Sequence, residues 1–381
     1  MTLMRILVLI HEFPPVGGGG GRAAYDICRQ LVQRGHQVLA LTAHLKGLPL
    51  REVVDGIEVV RIRSLRRASY SASMPAMAAY ILLGLWHGLT HIRRFRPDLL
   101  HVHFALPAGA LGWALSVLTG LPYVLTVHLG DVPGGVPEKT DRWFRYLFPF
   151  TPPIWKRASR VTAVSHYTRQ LALRHYPVPI RVIFNGVEVG EVHPARRSQP
   201  DHEPQIVFAG RFVPQKDPLL IVHTLSALRD LNWRCVLLGD GELFEAVKTE
   251  IHRQGLDERF TLTGWVTPEE VLARFGQSDI LFMPSLAEGL PVVGVQALAN
   301  GLAVVASHIG GFLDIVDEGQ NGFLAPPGRQ DGFAASLRKL LSDTTLLRRF
   351  QQASLRKAAQ FDIRHIAGQY EATFEETLHD H

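Results

Sequence analysis

PSLAEGLPVVGVQALANGLAVVASHIGG, residues 284–311, reads as the middle of a strand–helix–strand unit. An apolar run, Ile280–Met283, ends in a loop that carries Glu288. A helix begins at about Pro291, a residue suited to a first turn because its missing N–H has no partner to lose there. It stops at Asn300-Gly301, and Ala303–Ala306 follows as a second buried strand. Free amides at the start of such a helix, with Gly289 and Leu290 just before it and Val292 in its first turn, suit a phosphate or sugar oxygen. Glu288 sits beside them as an acceptor for hydroxyls, and Gln296 lies eight residues on along the same helix.

The same alternation runs through the chain. Strand-like runs occur at Arg5–Ile10, Gln37–Thr42, Leu99–Val102, Tyr123–Val127, Val161–Val164 and Arg181–Phe184. A second series follows at Gln205–Ala209, Arg234–Leu238, Phe260–Thr263, Ile280–Met283, Ala303–Ala306 and Gly322–Leu324. Helical periodicity fills most of the intervals, for example Ala23–Arg34 and Leu219–Leu231. Alternating strand and helix predicts doubly wound parallel sheets covered on both faces. Val189–Gln205, rich in Pro, Gly and charge, separates the two series and reads as a linker. The expected domains are 1–190 and 200–361, facing each other across a cleft at the carboxyl ends of their strands, where ligands of such sheets bind.

A length of 381 residues agrees with two domains, and 46% hydrophobic with 20% charged residues excludes a disordered or fibrous chain. Two distant cysteines, Cys28 and Cys235, cannot build a disulfide framework, so a cytoplasmic setting is expected. The apolar run Ile6–Ile10 is too short for a signal peptide, and Pro107, Gly120 and Pro122 break the long uncharged stretch 104–127. Charge is uneven: residues 1–190 hold 22 Lys+Arg against 10 Asp+Glu, and residues 191–381 hold 18 against 25. The first half is therefore expected to meet an anionic ligand or surface. Arginines cluster at Arg61, Arg63, Arg66, Arg67 and at Arg93, Arg94, Arg96, interleaved with Ile62, Leu65, Ile92 and Phe95. That pattern favours an amphipathic element at lipid headgroups, a peripheral membrane contact, over nucleic acid. Zinc-finger spacing and an aromatic RNA-binding signature are both absent from the sequence.

Residues just after strands are the candidates for chemistry. Gly17–Gly21 forms a loop that lets backbone approach a ligand, with Gly18 and Gly19 at its centre. The glycines begin seven residues after Ile10, and the second strand ends in Thr42-Ala43-His44 without an acid, which disfavours a dinucleotide-binding fingerprint. His128 leaves Tyr123–Val127 able to bond a substrate hydroxyl, and Asp131 is placed either to accept from an acceptor hydroxyl or to orient the loop. Arg211 and Lys216, after Gln205–Ala209, suit a diphosphate. Gly239–Glu242 reads as a tight turn. Gly264 and Val266 flank Trp265, which fits a wall against a base or a core position equally well.

In this arrangement the chain resembles the retaining glycosyltransferases of family 4. The motifs are PPVGGGGG, RGHQV, TVHLGD, AVSHYTR, FNGVEV, AGRFVPQKDP, GDGEL, TGWV and AEGLPVVGVQALANGLAVVAS followed by GG, in order over almost the whole chain. The resemblance implies the GT-B fold of two Rossmann-like domains, with the last helix (about 362–381) returning to the first. It implies a hexose moved from a UDP- or GDP-linked donor to a sugar, glycolipid or polysaccharide-precursor acceptor, with no metal and no other cofactor. Arg211 and Lys216 would grip the diphosphate, Glu288 the donor sugar, and His128 would lie near the reacting carbon. Gly18 and Gly19 would approach the phosphate or acceptor. Gly264, Val266, Gly289, Leu290, Val292 and Gln296 would complete the donor site, and Asp131 would face the acceptor. Two positions depart from the pattern: Gln296 replaces the second acid that binds ribose, and Ala303 a common proline. The loss of that acid leaves a non-catalytic sugar-nucleotide binder, besides a GT-B epimerase, as alternatives to a transferase.

Overall fold

Runs of Val, Ile and Leu that are buried on both faces must sit in the middle of a covered sheet, and their alternation with helices forces parallel pairing. The computed structural model describes residues 3–68, 72–136, 146–190 and 203–381. The chain divides into two compact units, Met1–Gly186 with Ile363–His381, and Val187–Asp362. Most of the expected linker lies outside the described residues.

In the first unit the strands are β1 (Arg5–Leu9), β2 (Gln37–Ala43), β3 (Arg51–Val54), β4 (Ile57–Ile62), β5 (Leu99–His103), β6 (Tyr123–Val127), β7 (Arg160–Ala163) and β8 (Ile180–Val182). They lie in the order β3-β4-β2-β1-β5-β6-β7-β8, parallel except for β3 against β4. The β3–β4 hairpin is absent from the sequence expectation, because β3 is a short, half-exposed edge strand without an apolar run. Order reverses at β1, which pairs with both β2 and β5.

Helices α1 (Gly19–Gln33), α2 (Met74–Phe95) and α3 (Ala110–Thr119) follow β1, β4 and β5. Tyr80 of α2, Leu111 and Leu115 of α3 pack on one face of the sheet. On the opposite face α1 packs with the helix Ile363–His379 through Ile27, Leu31, Tyr370 and Phe374. Arg34 and His36 fix that last helix by bonding Glu371 at 2.9 Å each.

The second unit contains β9 (Gln205–Ala209), β10 (Arg234–Leu238), β11 (Phe260–Leu262), β12 (Ile280–Met283), β13 (Ala303–Ser307) and β14 (Gly322–Ala325). All pair in parallel in the order β11-β10-β9-β12-β13-β14. The switch point is β9, flanked by β10 and β12. The helix expected over Leu219–Leu231 spans Pro218–Ser226, and turns carry the chain onward to Leu231. Among the described residues no helix is long and apolar enough to cross a membrane.

The arginine-rich stretch after β4 differs from its expected form. Arg61 and Arg66 are buried, not displayed at a surface. Arg61 pairs with Glu52 at 2.5 Å and donates to the carbonyls of Pro49 and Pro14. Arg66 donates to the carbonyl of His11 and to Glu12. Of the expected stripe, Arg63, Leu65 and Arg67 are exposed.

Candidate active site

Open parallel sheets leave a crevice beyond the carboxyl ends of the strands where strand order reverses. In the second unit β9 and β12 flank that point and hand the chain to the two loops singled out by sequence. Arg211 and Lys216 follow β9, and Glu288 follows β12. The loops are joined by backbone: the Leu286 amide donates to the Gln215 carbonyl at 2.8 Å, and Gln215 Nε2 to the Ala287 carbonyl at 2.8 Å. Lys216 Nζ donates directly to Glu288 Oε1, with both side chains largely buried. Arg211 is half-buried and forms no ion pair with a described residue. The loop after β9 thus carries two cations, Arg211 without an ion pair among the described residues and Lys216 held by the carboxylate that follows β12.

Glycine backbone shapes the neighbouring turns. A Cβ on Gly241 (φ +154°) would lie 2.6 Å from the Phe212 carbonyl oxygen, so only glycine fits where the turns after β9 and β10 touch. Gly264 (φ +68°) accepts from the Gly239 amide at 3.0 Å. Val266 is half-buried and Trp265 stands 60% exposed, which removes the core reading of that tryptophan. The helix observed is Val292–Ala299 with Pro291 capping it, and the Gly311 amide ties the Glu288 carbonyl at 3.1 Å. Gly289 and Leu290 precede the cap, while Gln296 is half-buried on the helix.

In the first unit the loops after β1, β5 and β6 meet. Phe104 leaves β5 at φ +71°, an unusual conformation for a bulky residue. Its ring stacks on His128 (centroids 4.2 Å apart, 24° between planes) and meets His11 edge-on at 5.0 Å. Glycine 20 lies against both rings: a Cβ there would sit 2.7 Å from Phe104 Cζ and 3.3 Å from His128. Gly18 and Gly19, named from sequence, are exposed, and Gly18 caps α1 with nothing within 4 Å of an added Cβ. Glu12, held by Arg66, receives the Gly18 amide at 3.4 Å and so pins the glycine loop. Sequence reasoning missed Gly20, Phe104 and Glu12. The glycine run was legible, but which glycine meets aromatic rings depends on the register of α1.

Asp131 is turned inward. Its Oδ2 accepts from the His128 amide and its Oδ1 from the Ala105 amide, each at 2.8 Å. It thereby clamps the loop after β6 to the one after β5, the orienting role of the two expected. Burial pushes its carboxyl up to about 7, against the pull of those amides.

His128 is held neutral: burial, then the nearby His11, pushes it down to about 3. Its Nε2 and both nitrogens of His103 are buried with no hydrogen-bond partner among the described residues. His101 falls to about 3 and His11 to about 4, chiefly through burial, and His103 well below its ordinary value for the same reason. An unfolded histidine takes a proton near pH 6.5, whereas these four refuse it when folded, so the unfolded state binds more protons below that pH. Stability is therefore complete above pH 6.5 and drains away as pH falls toward 4. Asp131 acts with the opposite sign, its contribution being lost as pH rises through 7, but it is one group against four. Melting of the first unit is expected at least about 10 °C lower at pH 5 than at pH 7.5. Scanning calorimetry over that range checks this, and a flat profile contradicts it.

Gly20→Ala is expected to lower turnover about 10- to 100-fold by displacing Phe104 and His128, although alanine favours helix. Gly276→Ala, in the helix Pro268–Gln277 of the second unit, should leave turnover within about twofold, since its added Cβ meets nothing. Equal effects in steady-state assays of the two variants would contradict the ring contact as the cause.

Two doubly wound parallel sheets with sites at their switch points define a GT-B protein. Residues 17–191 match Glycosyltransferase Family 4, and residues 191–357 match Glycosyl transferases group 1. The chain is 26% identical to 2-deoxystreptamine glucosyltransferase of Streptomyces kanamyceticus, over 92% of this chain and 97% of that one. Sucrose-phosphate synthase from Thermosynechococcus elongatus superposes with a TM-score of 0.86 at 19% identity, covering 100% of both chains. HepE of Anabaena, solved in complex with UDP and glucose, gives 0.74 at 21% identity over 98% of this chain and 100% of that one. The chain belongs to glycosyltransferase family 4, and it is a group 1 glycosyltransferase that uses a sugar-nucleotide donor.

Proposed function

We propose that the protein is a retaining, metal-independent hexosyltransferase that draws on a UDP- or GDP-sugar and glycosylates a sugar or a lipid-carried sugar of the cell envelope. The observation that carries the donor assignment is the Lys216–Glu288 pair that joins the loops after β9 and β12 at the switch point, with Arg211 of the first loop in no ion pair among the described residues. On donor binding Lys216 leaves Glu288 for the diphosphate, joining Arg211, and Glu288 is released to accept from the sugar's hydroxyls. The two cations stabilise the charge that builds on the departing nucleotide, the task a metal performs in other transferases.

Proton bookkeeping supports retention. His128 is neutral and Asp131 is occupied by backbone amides, so neither offers a free ionised base. The acceptor's proton then passes to the departing phosphate oxygen as the C–O bond to the nucleotide breaks and the new glycosidic bond forms on the same face. Neutral His128 can bond a hydroxyl through Nε2 without fixing a charge. Gln296 offers a carbonyl and an amide to ribose in place of an acid, a loss of about 1 kcal/mol of charge-assisted bonding.

The acidic second unit suits the donor role through these fixed cations, and the basic first unit suits an anionic acceptor or surface. Screening UDP-, GDP- and ADP-sugars for slow hydrolysis tests this reading. Turnover of one donor in EDTA, lost in Glu288→Ala, is expected; binding without turnover of any donor would mark a non-catalytic homologue.

A further inference from the structure

His103 is the last residue of β5 and is buried at 1% exposure. A neutral imidazole has one N–H to donate and one lone pair to fill, and inside a protein such groups are normally taken. Neither nitrogen of His103 meets a partner among the described residues. The polar groups next to it are already committed. Thr126, paired with His103 in the β5–β6 register, bonds His101 Nε2 and the Thr162 hydroxyl at 2.9 Å each, and the Tyr370 hydroxyl at 3.4 Å. Three partners exhaust a hydroxyl, which has one proton and two lone pairs. The His101 ring lies 4.2 Å from that of His103 between centroids, closer than the about 5 Å that an in-plane N–H···N bond requires.

His128 faces the same shortage. Its Nε2 is buried without a partner, and its ring centroid is 5.9 Å from that of His103. One oxygen with two bonds of about 2.8 Å can serve rings whose centroids are up to about 8 Å apart, so a single hydroxyl reaches both. The two histidines stand at the carboxyl ends of β5 and β6, beside the switch point at β1, where sheets of this kind take their ligands. Phe104 covers them: it is half-buried, stacks on His128 and holds φ +71°. A bulky residue in that region is strained, and such strain collects at ligand clamps and switches. Charge narrows the ligand further. Burial keeps both imidazoles neutral, His128 down at about 3 and His103 well below its ordinary value. Neutral imidazoles offer a donor and an acceptor, which is what a hydroxyl needs, whereas a carboxylate or phosphate would bring its charge beside groups that burial keeps uncharged.

We infer that His103 and His128 together bind one neutral hydroxyl of a sugar substrate, reached when the Phe104 ring turns off His128. The hydroxyl donates to a nitrogen of one ring and accepts from the N–H of the other. This rests on the proposed function, in which His128 Nε2 meets a substrate hydroxyl, and it adds His103 as the second residue that selects the sugar. A sugar without that hydroxyl leaves two buried nitrogens unpaired and is rejected.

The test compares His103→Leu and His103→Gln with wild type in the full chain. Leucine fills the space without an unpaired polar group, so His103→Leu is expected to melt no lower than wild type while losing affinity for sugar. Calorimetric titration of UDP-glucose and of UDP (GDP-mannose and GDP where the donor screen selects guanosine) reads the donor. Steady-state transfer to glucose, galactose, mannose and myo-inositol reads the acceptor; where none of the four accepts, the donor titration decides alone. His103→Leu is expected to weaken one of the two sugars at least about tenfold and UDP not at all, and His103→Gln, which keeps a donor and an acceptor, to stay within about threefold of wild type. Weaker UDP-glucose binding puts the hydroxyl on the donor; a raised acceptor KM with UDP-glucose binding unchanged puts it on the acceptor. Both sugars within about twofold of wild type, or a loss that follows a lowered melting temperature, overturns the inference. Phe104→Ala is expected to speed modification of His103 and His128 by diethyl pyrocarbonate at least about tenfold, read by peptide mass spectrometry, and wild-type rates would overturn the gating by Phe104. UDP-glucose binding that His103→Leu weakens, with no turnover in wild type, would refute the transferase reading and leave the hydroxyl site standing.

Discussion

Arg211→Ala is expected to lower the rate of sugar transfer about 100- to 1,000-fold, because in the proposed function it removes a cation that stabilises the charge developing on the leaving nucleotide. The substitution should leave melting within about 2 °C of wild type, since Arg211 has no ion-pair partner to abandon among the described residues. That combination separates a working cation from a structural one. Steady-state assays at saturating donor, with calorimetry on the same preparation, measure both quantities. A loss of activity that tracks a loss of stability would show that Arg211 supports the fold instead.

The second large effect comes from the Lys216–Glu288 pair, which has the opposite signature. Its side chains are 14% and 9% exposed, so removing one partner strands the other's charge away from water. Lys216→Met is expected to destabilise the second unit by about 3 kcal/mol or more and to abolish transfer. Glu288→Gln should affect stability in the same direction through the abandoned ammonium. The double variant Lys216→Met/Glu288→Gln replaces both charges and is expected to regain most of the stability and none of the activity. Denaturant unfolding of the four proteins closes this cycle. If the double variant is as unstable as the sum of the singles, the two groups act independently and the exchange of partners on donor binding is refuted.

These expectations also show where sequence reading succeeds. Strands β9, β10 and β12 match the expected runs end to end, because a strand buried on both faces is a continuous apolar stretch bounded by polar residues. Residues after such strands were legible for the same reason: Arg211, Lys216 and Glu288 are placed by the ends of β9 and β12. What could not be read is the partner each residue chooses. Asp131 and His128 are three residues apart in any reading, but only the fold shows a carboxylate taken by two amides and an imidazole under an aromatic ring. Arg61 and Arg66 looked like a surface stripe because charge in sequence is normally solvated; Glu52 and Glu12 reverse that through contacts no local pattern encodes.

The central claim is that two side-chain cations, Arg211 and a Lys216 drawn away from Glu288, hold the donor's diphosphate. Calorimetric titration of the nucleoside diphosphate into wild type and Arg211→Ala, both in EDTA, tests it most directly. The account predicts binding undiminished by EDTA and weakened at least about tenfold by the substitution. Binding that vanishes with EDTA, or that ignores the loss of Arg211, would contradict it.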